Sequence, residues 1–222
     1  MAPFGKIHSY PGNFRVDRAQ LVAALNGLEV PLVEDFKMGE SNKTPEFLSK
    51  FPLGKVPAFE GADGVCIAET VAICTYIARS GPKAAQLLGS DDPKVEAKIL
   101  EWTCFADNEL VPHILAPALM LIFKIYPFDQ QKYDTSIAAL SRALKRLEVG
   151  LQGGRKFLVG DAITMADVMV MAPLFWGLKY FVDAAMRKDF PNVVAYMQGV
   201  AKIDEVKKAF GELEMCETAV KP

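Results

Sequence analysis

Two hydrophobic rhythms divide this chain. In the first third, short apolar runs broken by proline and glycine carry the period-two signal of strands. Lys6-Ile7-His8-Ser9-Tyr10 reads as a first strand, stopped by Pro11-Gly12. Arg18 to Leu28 holds Leu21, Val22, Leu25 and Leu28 at helical spacing and ends near Gly27. Val30-Pro31-Leu32-Val33-Glu34 reads as a second short strand, and Pro31 assigns it to an edge. Met38 to Lys43 is polar loop, and Thr44-Pro45-Glu46-Phe47-Leu48 is a short helical turn with Thr44 as its cap. Val56–Phe59 and Val65–Ala68 make a hairpin around Gly61 and Gly64. Val71, Ile73, Cys74 and Ile77 then continue as a helix that Thr70 is placed to cap.

After Ser80-Gly81-Pro82 the rhythm changes to 3.6 residues and stays there. Val95 to about Phe123 reads as one long helix bent near Pro112 and Pro117. Asp129–Leu151 is the next, with Ile137, Leu140, Leu144, Leu147 and Leu151 three and four apart. Thr164-Met165-Ala166-Asp167 has the form of a capping box opening an apolar helix, Ala166–Val182. Helices near Val193–Ala201 and Glu205–Cys216 complete the series. The expected class is α+β. A thioredoxin-like βαβ-ββα domain with a four-stranded mixed sheet fills residues 1–81, a linker residues 82–92, and an all-helical domain residues 93–222.

Composition narrows the function classes. With 51% hydrophobic and 23% charged residues, the 222-residue chain is a well-packed globular protein. A net charge of −2 gives no general attraction to nucleic acid or anionic membrane. The four cysteines and two histidines show no metal-ligand spacing, so reduced thiols and no metal are expected. The start lacks the long apolar core of a signal peptide, and Ile114–Ile125 is too short and too proline-marked to span a bilayer.

The candidate chemistry gathers at Val56-Pro57 and Glu69-Thr70. A residue before proline is extended, and Pro57 has no N–H to give a ladder. A cis Val56-Pro57 bond turns the Val56 peptide outward, where a peptide-like ligand pairs as an added strand does. A helix opening at Thr70 offers free N–H groups to an anion.

These residues resemble the glutathione site of the glutathione transferases. The longer runs, Asn42 to Leu48 and Gly54 to Gly61, resemble the amino-terminal, transferase-like domain of the gamma subunits of translation elongation factor 1. The likeness continues in Trp102…Phe105-Ala106-Asp107, Phe157-Leu158-Val159-Gly160 and Thr164–Asp167, nearly the whole chain. It implies that Val56, before Pro57, pairs with the cysteinyl backbone of glutathione. It further implies that Glu69 takes the γ-glutamyl ammonium, Thr70 and the helix start its carboxylate, and Asn42, Lys43 and Lys55 the glycyl end. Asn42 stands where many relatives carry histidine. Tyr10 and Asn13 are the candidates to activate the thiol, with Arg15 or Arg18 adding positive field. Trp102 and Phe105, near Leu110 and Phe175, are the candidates for an electrophile pocket between the domains. The only cofactor-like molecule implied is glutathione itself, as co-substrate or ligand.

Two readings follow, with a third beside them. One is a cytoplasmic, homodimeric scaffold that holds the nucleotide-exchange subunits of elongation factor 1, binding glutathione and leaving conjugation open. The gamma subunits continue past this domain through a Lys/Glu-rich linker into a second one. The alternative is a stand-alone glutathione transferase. The third is a glutathione-binding module without catalysis.

Overall fold

A computed structural model of the chain describes residues 3–221. They form two units that divide between Asp92 and Pro93.

In the first unit, β1 (Gly5–His8) pairs antiparallel with β2 (Ala58–Gly61), and β2 with β3 (Cys66–Ala68). The period-two alternation sends Ile7 and Phe59, paired in register, to one face of the sheet. There they are fully buried, along with Leu21 and Val22 of α1 (Phe14–Leu25) and Ile73 and Ile77 of α3 (Thr70–Arg79). Ala58 points to the other face, onto Phe47 and Phe51 beside α2 (Pro45–Lys50). Thr44 caps α2 as its sequence suggests, accepting the Phe47 N–H at 3.2 Å.

The expected second strand is reduced to one parallel bridge, Ile7 to Leu32. Ile7 N–H donates to Pro31 O (2.8 Å) and Val33 N–H to Ile7 O (2.9 Å), so the segment lies along β1. Pro31 has no N–H to extend the ladder, and the sheet has three strands rather than four. Helix α1 begins earlier than expected because Asn13 supplies its N-cap, its side chain accepting the Arg15 N–H.

Residues 82–92, expected as linker, contain α4 (Ala84–Leu88), whose Leu87 is fully buried. The Asn26 amide explains the attachment. It donates to the Ile77 and Ala78 carbonyls and accepts the Lys83 N–H at 2.8 Å, tying the ends of α1 and α3 to the start of α4.

The second unit is helical. The expected long first helix is α5 (Pro93–Phe105), a π-helical turn (Ala106–Leu110) and α6 (Val111–Leu121). Pro112 therefore sits in a first turn, where its missing N–H costs nothing. Next come α7 (Gln130–Gly150), α8 (Met165–Tyr180), α9 (Ala184–Arg187), α10 (Pro191–Val200) and α11 (Asp204–Phe210). The last ends six residues before Cys216, at Gly211 with φ +76°.

Helix α8 is buried on nearly every side, which is why it reads as apolar all round rather than amphipathic. Its capping box is present. The buried Asp167 carboxylate accepts from Thr164 N–H (2.8 Å), Thr164 Oγ1 (3.0 Å), Leu158 N–H (2.9 Å) and Tyr196 Oη (3.0 Å). Four donors satisfy a carboxylate that burial alone would make costly. Among the described residues no helix is long and apolar enough to cross a membrane, and no cluster of side chains is arranged to hold a metal.

Candidate functional site

The first unit leaves one edge unfinished. The Val56–Pro57 peptide is cis. Extending the Ala58–Ala68 pairing by two residues sets Val56 in line with Thr70. Among the described residues, neither the Val56 N–H nor its C=O takes part in a hydrogen bond. Helix α3 opens beside it without a side-chain cap. Glu69, not Thr70, takes the N-cap place, and the buried Thr70 is the first helical residue. The N–H groups of that first turn are thus left for a ligand or water.

Glu69 holds φ +69° and ψ 119°. A non-glycine residue held there costs about 1–3 kcal/mol, and such strain concentrates at functional positions. The exposed Glu69 carboxylate makes no hydrogen bond or ion pair among the described residues.

These groups face a cleft of about 560 Å³ whose walls include Val56, Pro57, Glu69, Thr70, Lys55 and Arg15. Lys50 enters from the end of α2. The outer strand contributes Cys66 and Ala68, both exposed in the cleft while Ile67 between them is half-buried. Three cations and one carboxylate line this space. A ligand with two carboxylates and one ammonium, such as glutathione, has the complementary charge set.

Lys50 is held from behind. Its Nζ lies 2.9 Å from Glu60 Oε1, while Glu60 Oε2 lies 3.0 Å from His8 Nε2 and 3.7 Å from Lys6 Nζ. The Lys50 hydrogen bond, with help from His8 and Lys6, holds the Glu60 carboxyl down at about 2. Burial among Phe36, Phe47 and Phe51 pushes the His8 imidazole below its ordinary value, against the pull of Glu60.

The structure gathers part of the expected set and disperses the rest. Lys55, Val56, Pro57, Glu69 and Thr70 share the cleft. Asn42 does not belong to its walls. The side chain is buried and clamps a loop, accepting the Gly39 N–H and donating to Gly54 O, both at 2.6 Å. Lys43 is exposed and also outside the cleft walls.

Tyr10 is 40% exposed and absent from the walls. Asn13 uses its amide locally, capping α1 and donating to Ser9 Oγ at 3.2 Å. From that end of the unit Arg15 reaches the cleft. Trp102 and Phe105 lie in the second unit, edge to face at 5.3 Å.

Sequence reasoning missed Lys50 and Cys66. Lys50 reads as an ordinary helix-end lysine, and only the packing of α2 against β2 brings Glu60 within 2.9 Å of it. For Cys66 a signal existed: the run Val65 to Ala68 alternates, and its outward positions carry small residues.

Known proteins resemble this chain over both units. The family description "Glutathione S-transferase, N-terminal domain" matches residues 4–79, and "Glutathione S-transferase, C-terminal domain" matches residues 110–204. The chain is 46% identical over 211 residues to the glutathione S-transferase-like protein LUC7 of Fusarium sp, covering 95% of this chain and 94% of that one. It is 36% identical to elongation factor 1-gamma of Artemia salina over 97% of this chain, which spans 48% of that relative. Among solved structures, the GST-like domain of elongation factor 1-gamma from Saccharomyces cerevisiae superposes with a TM-score of 0.82. That match has 22% identity and covers 100% of this chain and 99% of the other. The chain belongs to the glutathione transferase family. Within it, the likeness to the transferase-like domain of elongation factor 1-gamma extends over both units.

Proposed function

We propose that the first unit binds glutathione in the cleft between Val56 and the start of α3. The observation that carries this reading is the conjunction of an unpaired Val56 peptide, an uncapped helix start and an unpaired Glu69 carboxylate around one cleft. The Val56 peptide receives the cysteinyl backbone as an added strand. Glu69 takes the γ-glutamyl ammonium, and the first turn of α3 its carboxylate. Lys55 meets the glycyl carboxylate. Arg15 supplies positive field toward the thiol, which favours the thiolate, the form that attacks an electrophile.

The activity proposed is conjugation of that thiolate to an electrophile, as in a glutathione transferase. The higher identity to the transferase-like relative supports it. Isothermal titration with glutathione tests the binding: we expect saturable uptake that Glu69→Gln weakens about tenfold, the value of one lost charge-assisted contact. A wild-type protein that takes up no glutathione at millimolar concentration sinks the reading. Turnover of a chromogenic chloronitroarene, reduced by Arg15→Gln, tests the conjugation separately.

A second reading is supported by the elongation factor 1-gamma relatives. In it the chain is a cytoplasmic, dimeric scaffold for the nucleotide-exchange subunits of elongation factor 1. Co-purification of those subunits with the tagged protein tests it.

A further inference from the structure

Two motifs far apart in the sequence meet in the second unit. Trp102 on α5 and the Leu158-Val159-Gly160 run share the walls of a groove of about 520 Å³, together with Gly150 at the end of α7. The Trp102 ring lies so close to Gly150 that a Cβ there would come within 2.7 Å of it. Glycine is what lets the indole come this close to the helix. Opposite, the Leu158 N–H is pinned to buried Asp167 at 2.9 Å, so the loop wall is fixed to the start of α8. The groove is therefore pre-organised on both sides.

Its chemistry is one-sided. Lys98, Arg146 and Arg155 all line it, and no carboxylate does. Glu101, just outside, binds Lys98 (2.6 Å) and Arg146 (2.7 Å), while the Arg146 guanidinium lies 4.2 Å from the Trp102 ring centre. One acid thus serves two cations, and Arg155 forms no ion pair among the described residues. Two positive charges remain in excess on a chain whose net charge is −2. The lining also includes apolar Val149, 56% exposed, with Leu158 and Val159.

We propose that this groove docks an acidic peptide segment of a partner protein. Glutamate or aspartate side chains would pair with Arg155, Arg146 and Lys98, and an apolar side chain would sit on Val149. The cations give rate and register, and the apolar lining selects against plain polyanions. The site lies wholly within the second unit and does not depend on the glutathione reading.

The experiment is fluorescence anisotropy with a short fluorescein-labelled peptide alternating pairs of glutamate and leucine. We expect saturable binding by the wild-type protein, weakened about tenfold by Arg155→Glu and about threefold by Val149→Ser. Both side chains are exposed, so folding is spared. Lys145→Glu, exposed on the same helix outside the groove, should leave affinity unchanged. Absence of saturable binding at low salt overturns the proposal. So does equal loss in the Lys145 and Arg155 variants, an unaltered Val149→Ser, or single-stranded RNA of equal charge binding as tightly as the peptide.

Discussion

Two helix starts in this molecule are built in opposite ways. At α8, Thr164 and Asp167 close the first turn, and the carboxylate collects four donors in full burial. At α3, nothing caps the first turn, the N-cap residue sits at φ +69°, and its carboxylate is left to solvent. A buried start must satisfy its own N–H groups or lose about 1–3 kcal/mol for each orphan. An exposed start beside an unpaired peptide can keep them for a ligand. One helix start is thus closed by its own side chains and the other is left open, and the open one is where the proposed ligand would bind.

The largest effect is expected where the lock is opened. Asp167→Ala strands the Leu158, Thr164 and Tyr196 donors in the core and should cost about 3–5 kcal/mol. The midpoint of urea unfolding would move accordingly, and an unchanged midpoint would refute the role assigned to the carboxylate.

Glu60→Gln comes next and sharpens the contrast, because Glu60 is the closed element behind the open cleft. Its carboxyl is lowered from 4.5 to about 2, chiefly by the Lys50 hydrogen bond. A depressed carboxylate stabilises the fold above its unfolded value and loses that contribution as pH falls through 4.5 toward about 2. The variant should therefore be less stable by about 1–2 kcal/mol near neutral pH and match the wild type near pH 2, read from thermal unfolding across the range.

The smallest effect carries the opposite sign. Glu69→Gly removes the positive-φ cost and should raise stability by about 1 kcal/mol while glutathione affinity falls. If the substitution lowers both, Glu69 belongs to the fold rather than to the cleft.

Much of this was legible before any coordinates. Pro45 after Thr44 marks a capped turn, and Thr164 with Asp167 marks a box, because both devices are local and their geometry follows from neighbours in the chain. The 82–92 segment misled because its anchor, Asn26, lies more than fifty residues upstream, and no local rule connects an asparagine to a helix it holds from a distance. Asn42, too, has one tie to a residue twelve positions away, Gly54. Its residue type suits a ligand contact, but its amide is spent between Gly39 and Gly54.

The chain alone determined its two rhythms, the caps at Thr44 and Thr164 and the extended backbone at Val56 before Pro57, since periodicity and backbone restriction act over a few residues. Only folding in three dimensions decided that Lys50 would reach the cleft through Glu60, and that Cys66 would look outward into it. Only folding decided, too, that Trp102 and Leu158 would share a cationic groove. Those outcomes depend on which strands pair and which helices pack, and a sum of long-range contacts is not written in any one stretch of sequence.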